Sequence, residues 1–302
     1  MHLRRAYAVA ALLCGAAAIG TSALFVKVSE VGPVATAFWR VFLALPVLWA
    51  WAGLHRARYP GAVSAHACLR WLFVAGFFFA GDLAVWHWSI VLTSVANATL
   101  LANLAPIFVT LAAWALFRAP PTLLFLLGMA IALSGMALLI GGDFRLAGKE
   151  VFGDALGVVT AMFYAGYQLT VSRLRSSAST ARVMAWSSTI TATVLLPIAL
   201  VSESTLLPTT PGGWIIVAGL ALIAQVAGQS LIAYAMAHLS ALFSSVGLLL
   251  QPVVAAILAW VLLGEPLGIA QVAGGALVLT GIALANKAER GRSTERETML
   301  KR

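Results

Sequence analysis

Charge is what this sequence has least of. Charged residues make up 10% of the 302-residue chain, against 62% hydrophobic residues. A soluble domain of that length needs far more charge on its surface, so a soluble globular protein is excluded. Acidic residues are scarcer still, 10 against 19 Lys and Arg, for a net charge of +9. That excess does not point to nucleic acid, because the basic residues stand at the ends of apolar runs rather than in a patch. There are two cysteines, Cys14 and Cys68, with no metal-ligand spacing, so neither a disulfide nor a metal site is expected. Strict apolar/polar alternation over segments of about ten residues is also missing, which excludes an outer-membrane β-barrel. Neither HExxH nor GxxxxGK[ST] occurs.

What is there is a series of apolar runs of about twenty residues, the length of a membrane-crossing helix. Ten are expected: Ala6–Val28, Pro33–Leu54, Leu69–Leu92, Ser94–Phe117, Pro121–Ile140, Phe152–Leu174, Ala181–Val201, Gly213–Ala237, Ser240–Leu263 and Pro266–Asn286. The start, with Arg4 and Arg5 before an apolar stretch, has the look of a signal peptide. Its run continues to Val28, too long for a signal core, so it reads as a retained first helix. With the N-terminus in the cytoplasm, the inner segments hold Arg56, Arg58, Arg70, Arg118, Arg173, Arg175 and Arg182, and the tail adds more. The outer segments hold only Lys27, Arg145 and Lys149 among several carboxylates. Both termini are therefore expected in the cytoplasm of a plasma or inner membrane.

The two halves resemble each other at an offset of 146 residues. Pro106 falls on Pro252, Trp114 on Trp260, Pro120 on Pro266, Gly128 on Gly274 and Gly135 on Gly281. Each copy has five helices, an odd number, so the second enters the membrane from the opposite side. Inverted repeats of this kind build many secondary transporters. The expected organisation is a first repeat over 1–142, an outer connection over 143–151, a second repeat over 152–286 and a basic cytoplasmic tail over 287–302. The expected fold is an all-α integral membrane protein, two inverted five-helix repeats around a central cavity.

The repeated stretches "ANLAPIFVTLAAWALFRAPPTLLFLLGMAIALSGMALLI" and "GLLLQPVVAAILAWVLLGEPLGIAQVAGGALVLTGIAL", with "AFWRVFLALP" in the second helix, carry a resemblance that spans nearly the whole chain. The sequence resembles the drug/metabolite transporter superfamily in its EamA-type ten-helix branch. That resemblance implies export of amino acids and other metabolites by alternating access, without ATP hydrolysis by the chain. In the first copy Arg118-Ala119 departs from the Gly-Glu of the second.

Polar groups at membrane depth are costly and normally face the bundle interior. Arg40 and Asp82 are the two ionised side chains expected there; they either form a buried pair or meet a zwitterionic substrate or a proton. In "GDLAVWHWS" (81–89), Asp82 and Trp86 share a helix face, His87 is flanked by rings and can titrate near neutral pH, and Trp88 suits an interfacial belt better than Trp86. Tyr164 and Gln168 share one face in helix six; Gln225, Gln229 and Tyr234 make a polar line in helix eight; Asn103 adds an amide in helix four. These residues are the expected cavity lining, each with an interhelical hydrogen bond as its simpler role. Pro46, Pro106, Pro197 and Pro252 should kink their helices, with Pro106 and Pro252 as gating bends. The glycines of helices five and ten read as packing or dimer contacts. Rings, hydroxyls and amides with one or two charges suit neutral or aromatic amino acids; lipophilic drugs or other metabolites are the alternative. No cofactor is expected, and monomer and homodimer both remain open. An intramembrane enzyme is the rival class, but "FAGD" (79–82) and "ALSG" (132–135) each lack the surroundings a protease site needs. A membrane sensor is a further alternative.

Overall fold

The computed structural model describes residues 2–58, 65–93, 95–118, 120–140, 150–264 and 266–300. Ser94, Ala119, Glu265, residues 141–149 of the expected outer connection, and Lys301 and Arg302 of the tail lie outside them, as do the side chains of Arg56 and Arg58. The described residues form helices and connecting turns, with no strand. In chain order these are α1 (His2–Gly20), α2 (Ser22–Lys27), α3 (Pro33–Phe42), α4 (Leu45–Arg58), α5 (Ala65–Leu92), α6 (Val95–Ala102), α7 (Ala105–Phe117), α8 (Leu123–Ile140), α9 (Val151–Leu174) and α10 (Thr180–Ser202). Then come α11 (Pro211–Leu220), a π-helical segment (Ala221–Gln229), α12 (Ser230–Ala235), α13 (Ala241–Gly247), α14 (Leu250–Leu263) and α15 (Ile269–Leu300).

Several of these join end to end. Among the described residues, nine helical stretches are long and apolar enough to cross a membrane: 3–27, 33–55, 68–90, 97–116, 123–140, 180–202, 211–235, 241–262 and 269–292. The chain is thus a multi-pass membrane protein. The sixth expected span, α9, has the length of a crossing helix at 24 residues but carries Asp154, Tyr164, Tyr167 and Gln168, and it is not among the nine. The tail does not separate from the last span; α15 runs on as one helix to Leu300.

Proline sets the breaks. α4, α7 and α14 each carry a proline in their first turn (Pro46, Pro106 and Pro252), directly after a break in the preceding helix. Proline lacks the N–H that a continuous helix would need, and the first turn is where that loss is free. Pro197, by contrast, sits inside α10, which continues through it. The C-terminal ends of α7 and α14 match as well: Arg118 (φ 50°) and Gly264 (φ 69°) both take the left-handed cap conformation.

The most extensive helix contact joins α8 to α15. Its seam is glycine against glycine. A Cβ on Gly135 would stand 2.6 Å from the Gly274 carbonyl oxygen, and one on Gly274 would stand 2.6 Å from that of Gly135. Gly128 and Gly281 face each other in the same reciprocal way. These glycines let two backbones touch within one chain. That decides between the two expected uses of these faces: they are spent on internal packing and are not free for a dimer contact.

At one end of the bundle two carboxylates tie the halves of the chain together. Glu203, just after α10, accepts from the N–H groups of Val34 (2.5 Å) and Ala35 (2.9 Å) at the start of α3. Glu30, between α2 and α3, accepts from the N–H groups of Thr209 (2.9 Å) and Thr210 (3.1 Å) before α11. Each satisfies N–H groups that a helix start leaves without an internal partner. Trp39 Nε1–H donates to the Leu206 carbonyl at 2.7 Å and packs edge-on against Trp214 beside them.

The other half of the bundle is filled. Leu12, Leu48, Leu72, Tyr167, Phe243 and Leu174 are at most 2% exposed there. Gly15 and Gly228 bring α1 against the π segment, where a Cβ on Gly15 would meet the Gly228 carbonyl at 2.8 Å. At the end of α9, Arg175 donates from Nε to the Ala233 carbonyl (3.0 Å) and from Nη1 to that of Ala178. Burial pushes the Arg175 guanidinium below its ordinary value.

Candidate functional site: a central cavity

The unfilled half encloses a cavity of about 190 Å³. It begins at mid-depth and extends toward the end that carries the Glu30 and Glu203 ties. Five helical stretches build most of it. The α1–α2 junction supplies Gly20 and Ser22, α3 supplies Thr36 and Arg40, and α5 supplies Phe79, Asp82, Trp86 and His87. α6 and the break behind it supply Thr99 and Asn103, and α9 supplies Thr160 and Tyr164. Gln229 of the π segment and Gln251 and Pro252 of α14 complete the wall. The broken helices matter here: Asn103 sits in the α6–α7 break and Pro252 in the first turn after the α13–α14 break.

Arg40 and Asp82 share the cavity and act on each other electrostatically. No direct hydrogen bond or ion pair joins them among the described contacts. Arg40 instead donates from Nε to Gln225 Oε1 at 3.2 Å, with its guanidinium carbon 5.9 Å from the centre of the Phe79 ring. His87 donates its Nδ1–H to the Leu83 carbonyl one turn back, which leaves Nε2 as an acceptor with no hydrogen-bond partner. Trp86 meets the His87 ring edge-on at 5.0 Å. Gln251 donates to the Tyr164 hydroxyl at 3.2 Å, and the Asn103 amide donates to the Thr99 carbonyl at 2.8 Å. Below them Tyr167 stacks on Phe79 at 4.7 Å, forming the floor.

Seven expected lining residues therefore come together: Arg40, Asp82, Trp86, His87, Asn103, Tyr164 and Gln229. Pro252 joins them, while Pro106, the matching bend, does not line the cavity. Three other expected residues lie elsewhere. Gln225 is buried behind Arg40. Gln168 is buried one turn past Tyr164, and neither end of its amide has a hydrogen-bond partner. Tyr234 is 39% exposed at the far end of α12, edge-on to His238. It stands five residues past Gln229, about 140° further around the helix, and does not line the cavity. Trp88 is exposed on the outside of α5, as an interfacial residue should be.

Two polar residues were not foreseen. Ser188 of α10 accepts from the Gln225 amide at 3.0 Å. Asp154, near the start of the sixth expected span, is 4% exposed in the first turn of α9, where Thr93 Oγ1–H (2.7 Å) and the Asn97 amide (3.1 Å) donate to one of its oxygens. No local signal marks either: a serine pair in α10 and an aspartate in a helix's first turn are ordinary.

The EamA-like transporter family matches the sequence twice, over residues 6–141 and 151–287. The chain belongs to the EamA-like transporter family, within the drug/metabolite transporter superfamily. Relatives are similar over most of their length. An uncharacterized transporter of Archaeoglobus fulgidus is 25% identical over 274 residues, 87% of this chain and 91% of its own. A probable terminal-alkyne amino-acid exporter of Streptantibioticus cattleyicolor is 29% identical over 214 residues, 70% of this chain and 71% of its own. A solved crystal structure, 20% identical, superposes with a TM-score of 0.78 over 94% of this chain and 97% of the other, so the two share a fold along their length.

Proposed function

We propose that this EamA-like transporter exports small zwitterionic metabolites, most specifically neutral or aromatic amino acids, by alternating access through the central cavity. The observation that carries the reading is the pairing inside one cavity of Arg40 and Asp82, not bonded to each other, with the rings of Trp86 and Tyr164. A zwitterion presents one group for each charge, and an apolar or aromatic side chain suits the ring wall. The volume, about 190 Å³, lies below the roughly 300–1,000 Å³ of sites for drug-sized ligands, which favours an amino acid over a bulky drug. Similarity to an amino-acid exporter supports the same class.

The mechanism rests on ten crossings, with α9 as the sixth, arranged as two inverted repeats. The paired proline breaks, the matching caps at Arg118 and Gly264 and the reciprocal glycine seam support that arrangement. With both termini in the cytoplasm the cavity lies in the outer half of the membrane, and the filled half is its inner seal. Bending at Pro106 and Pro252 would exchange the two. Flux from proteoliposomes tests the reading. Vesicles loaded with labelled aromatic, aliphatic and charged amino acids and a phosphorylated sugar are expected to release the neutral and aromatic ones selectively. Asp82→Asn should keep the folded yield while lowering that flux. Well-inserted protein that releases none of the amino acids would overturn the substrate assignment.

A further inference from the structure

Gln225 does not touch the cavity, yet it makes the one hydrogen bond the structure records for the cavity's cation. We propose that Gln225, itself held by Ser188, is a positioning residue that aims the Nη1/Nη2 edge of Arg40 into the cavity as an anchor for a substrate carboxylate. The proposal rests on the cavity being the transport site, and it names the group on the substrate that the cavity reads.

The geometry is a three-residue chain. Ser188 and Gln225 are both 0% exposed, on α10 and the π segment. Arg40 Nε–H can only donate, so the end of the Gln225 amide that it meets at 3.2 Å is the oxygen; the amide nitrogen then donates to Ser188 Oγ at 3.0 Å. Phe79 covers one face of the guanidinium. One edge and one face of Arg40 are thus held, and its side chain is 7% exposed. A guanidinium carries five N–H donors in a rigid fork. With Nε spent, the paired Nη1 and Nη2 donors remain, and that edge matches a carboxylate with two parallel hydrogen bonds.

The neutrality of residue 225 carries the rest. A glutamate there would hold the guanidinium equally well but would cancel its charge and occupy the place of an incoming anion. An amide orients the cation and leaves its charge unspent. A purely structural arginine at this depth would be joined directly to Asp82, its nearest counter-charge; here the two stand apart. The π-helical stretch that carries Gln225 is itself a feature that recurs at functional sites.

The test compares three probes that share a phenyl ring: 3-phenylpropionate, which has only the carboxylate, 2-phenylethylamine, which has only the amine, and L-phenylalanine. Binding is measured by calorimetry on the purified full-length protein and its Gln225→Leu and Ser188→Ala variants. Gln225→Leu should weaken 3-phenylpropionate and phenylalanine about tenfold each, the scale of one charge-assisted hydrogen bond, and leave 2-phenylethylamine unchanged. Ser188→Ala should shift the same pair in the same direction by about threefold, and it carries the comparison should Gln225→Leu not fold. Equal weakening of all three probes, or no weakening of the carboxylates, would overturn the positioning role. So would a wild-type protein that binds neither carboxylate. Wild-type binding of 3-phenylpropionate that depends on Gln225, without binding or flux of phenylalanine, would keep the anchor and remove the amino-acid reading.

Discussion

A single residue shows how the two copies of the repeat have diverged. Gly264 closes α14 with φ 69°, a conformation glycine adopts without penalty. Arg118 closes α7 in nearly the same conformation, φ 50° and ψ 37°, with a side chain that makes it costly. Strain of this kind is worth on the order of 1 kcal/mol. Arg118→Gly should therefore stabilise the protein by about that amount, and Gly264→Arg should cost as much. Thermal unfolding in detergent reads both: one midpoint rises and the other falls by a few degrees. A midpoint for Arg118→Gly at or below the wild type would mean that the side chain repays its strain. The sequence already marked the position, since Arg118-Ala119 interrupts the Gly-Glu pattern; the sign of the backbone angle is what only the structure supplies.

At the scale of elements, hydropathy was enough to place nine apolar stretches among the described residues but not their internal breaks. Proline was the legible signal. Three of the four expected kinks are full breaks, at Pro46, Pro106 and Pro252, while α10 carries Pro197 without interruption. The helix starts were less legible because their caps come from distant sequence. Glu203 and Val34 are 169 residues apart, so no local capping pattern announces them. Glu203→Ala should cost roughly 0.5–2 kcal/mol, the usual loss for a helix cap, with hydrogen exchange rising at the amides of 34–37. Glu30 adds a pH dependence. The Thr210 hydroxyl and the N–H groups of Thr210 and Thr209 hold its carboxyl below the ordinary range. A lowered folded value gives stability that is complete above the free value, about 4.3, and lost as pH falls through the folded one. Protection of the amides of Thr209, Thr210, Gly212 and Gly213, corrected for the intrinsic pH dependence of exchange, should accordingly match between pH 7 and pH 5 and fall below pH 4. A loss of corrected protection already between pH 7 and pH 5 would detach Glu30 from the effect.

At the scale of the whole molecule, the fold was far more legible than the site. Apolar runs and the likeness of the two halves are sums over many residues, so they tolerate local error. The site depends on which way single side chains turn. Trp86 and Asp82 face the cavity as their shared face on α5 requires, while Tyr234, expected in one polar line with Gln225 and Gln229, lies outside it. Gln225 was expected on the wall and stands behind it, bonded to Arg40. The glycines of α8 and α15 were the one feature whose reading turned on the whole assembly. Spaced by seven on bare apolar helices, they suit a partner chain as well as a partner helix. The structure spends them inside the chain, backbone against backbone, and this yields a prediction that separates the uses. Gly135→Val places its side chain against the Gly274 carbonyl and the backbone of Val278, groups that cannot give way as a flexible side chain would. Overpacking of this kind typically costs about 1–3 kcal/mol, and the upper end applies where backbone is the obstacle. The folded yield and unfolding midpoint should fall, and the particle mass in detergent, by light scattering, should stay that of the wild type. A variant that keeps its midpoint but changes its particle mass would put this seam at a subunit interface and require α8 and α15 to part within the chain.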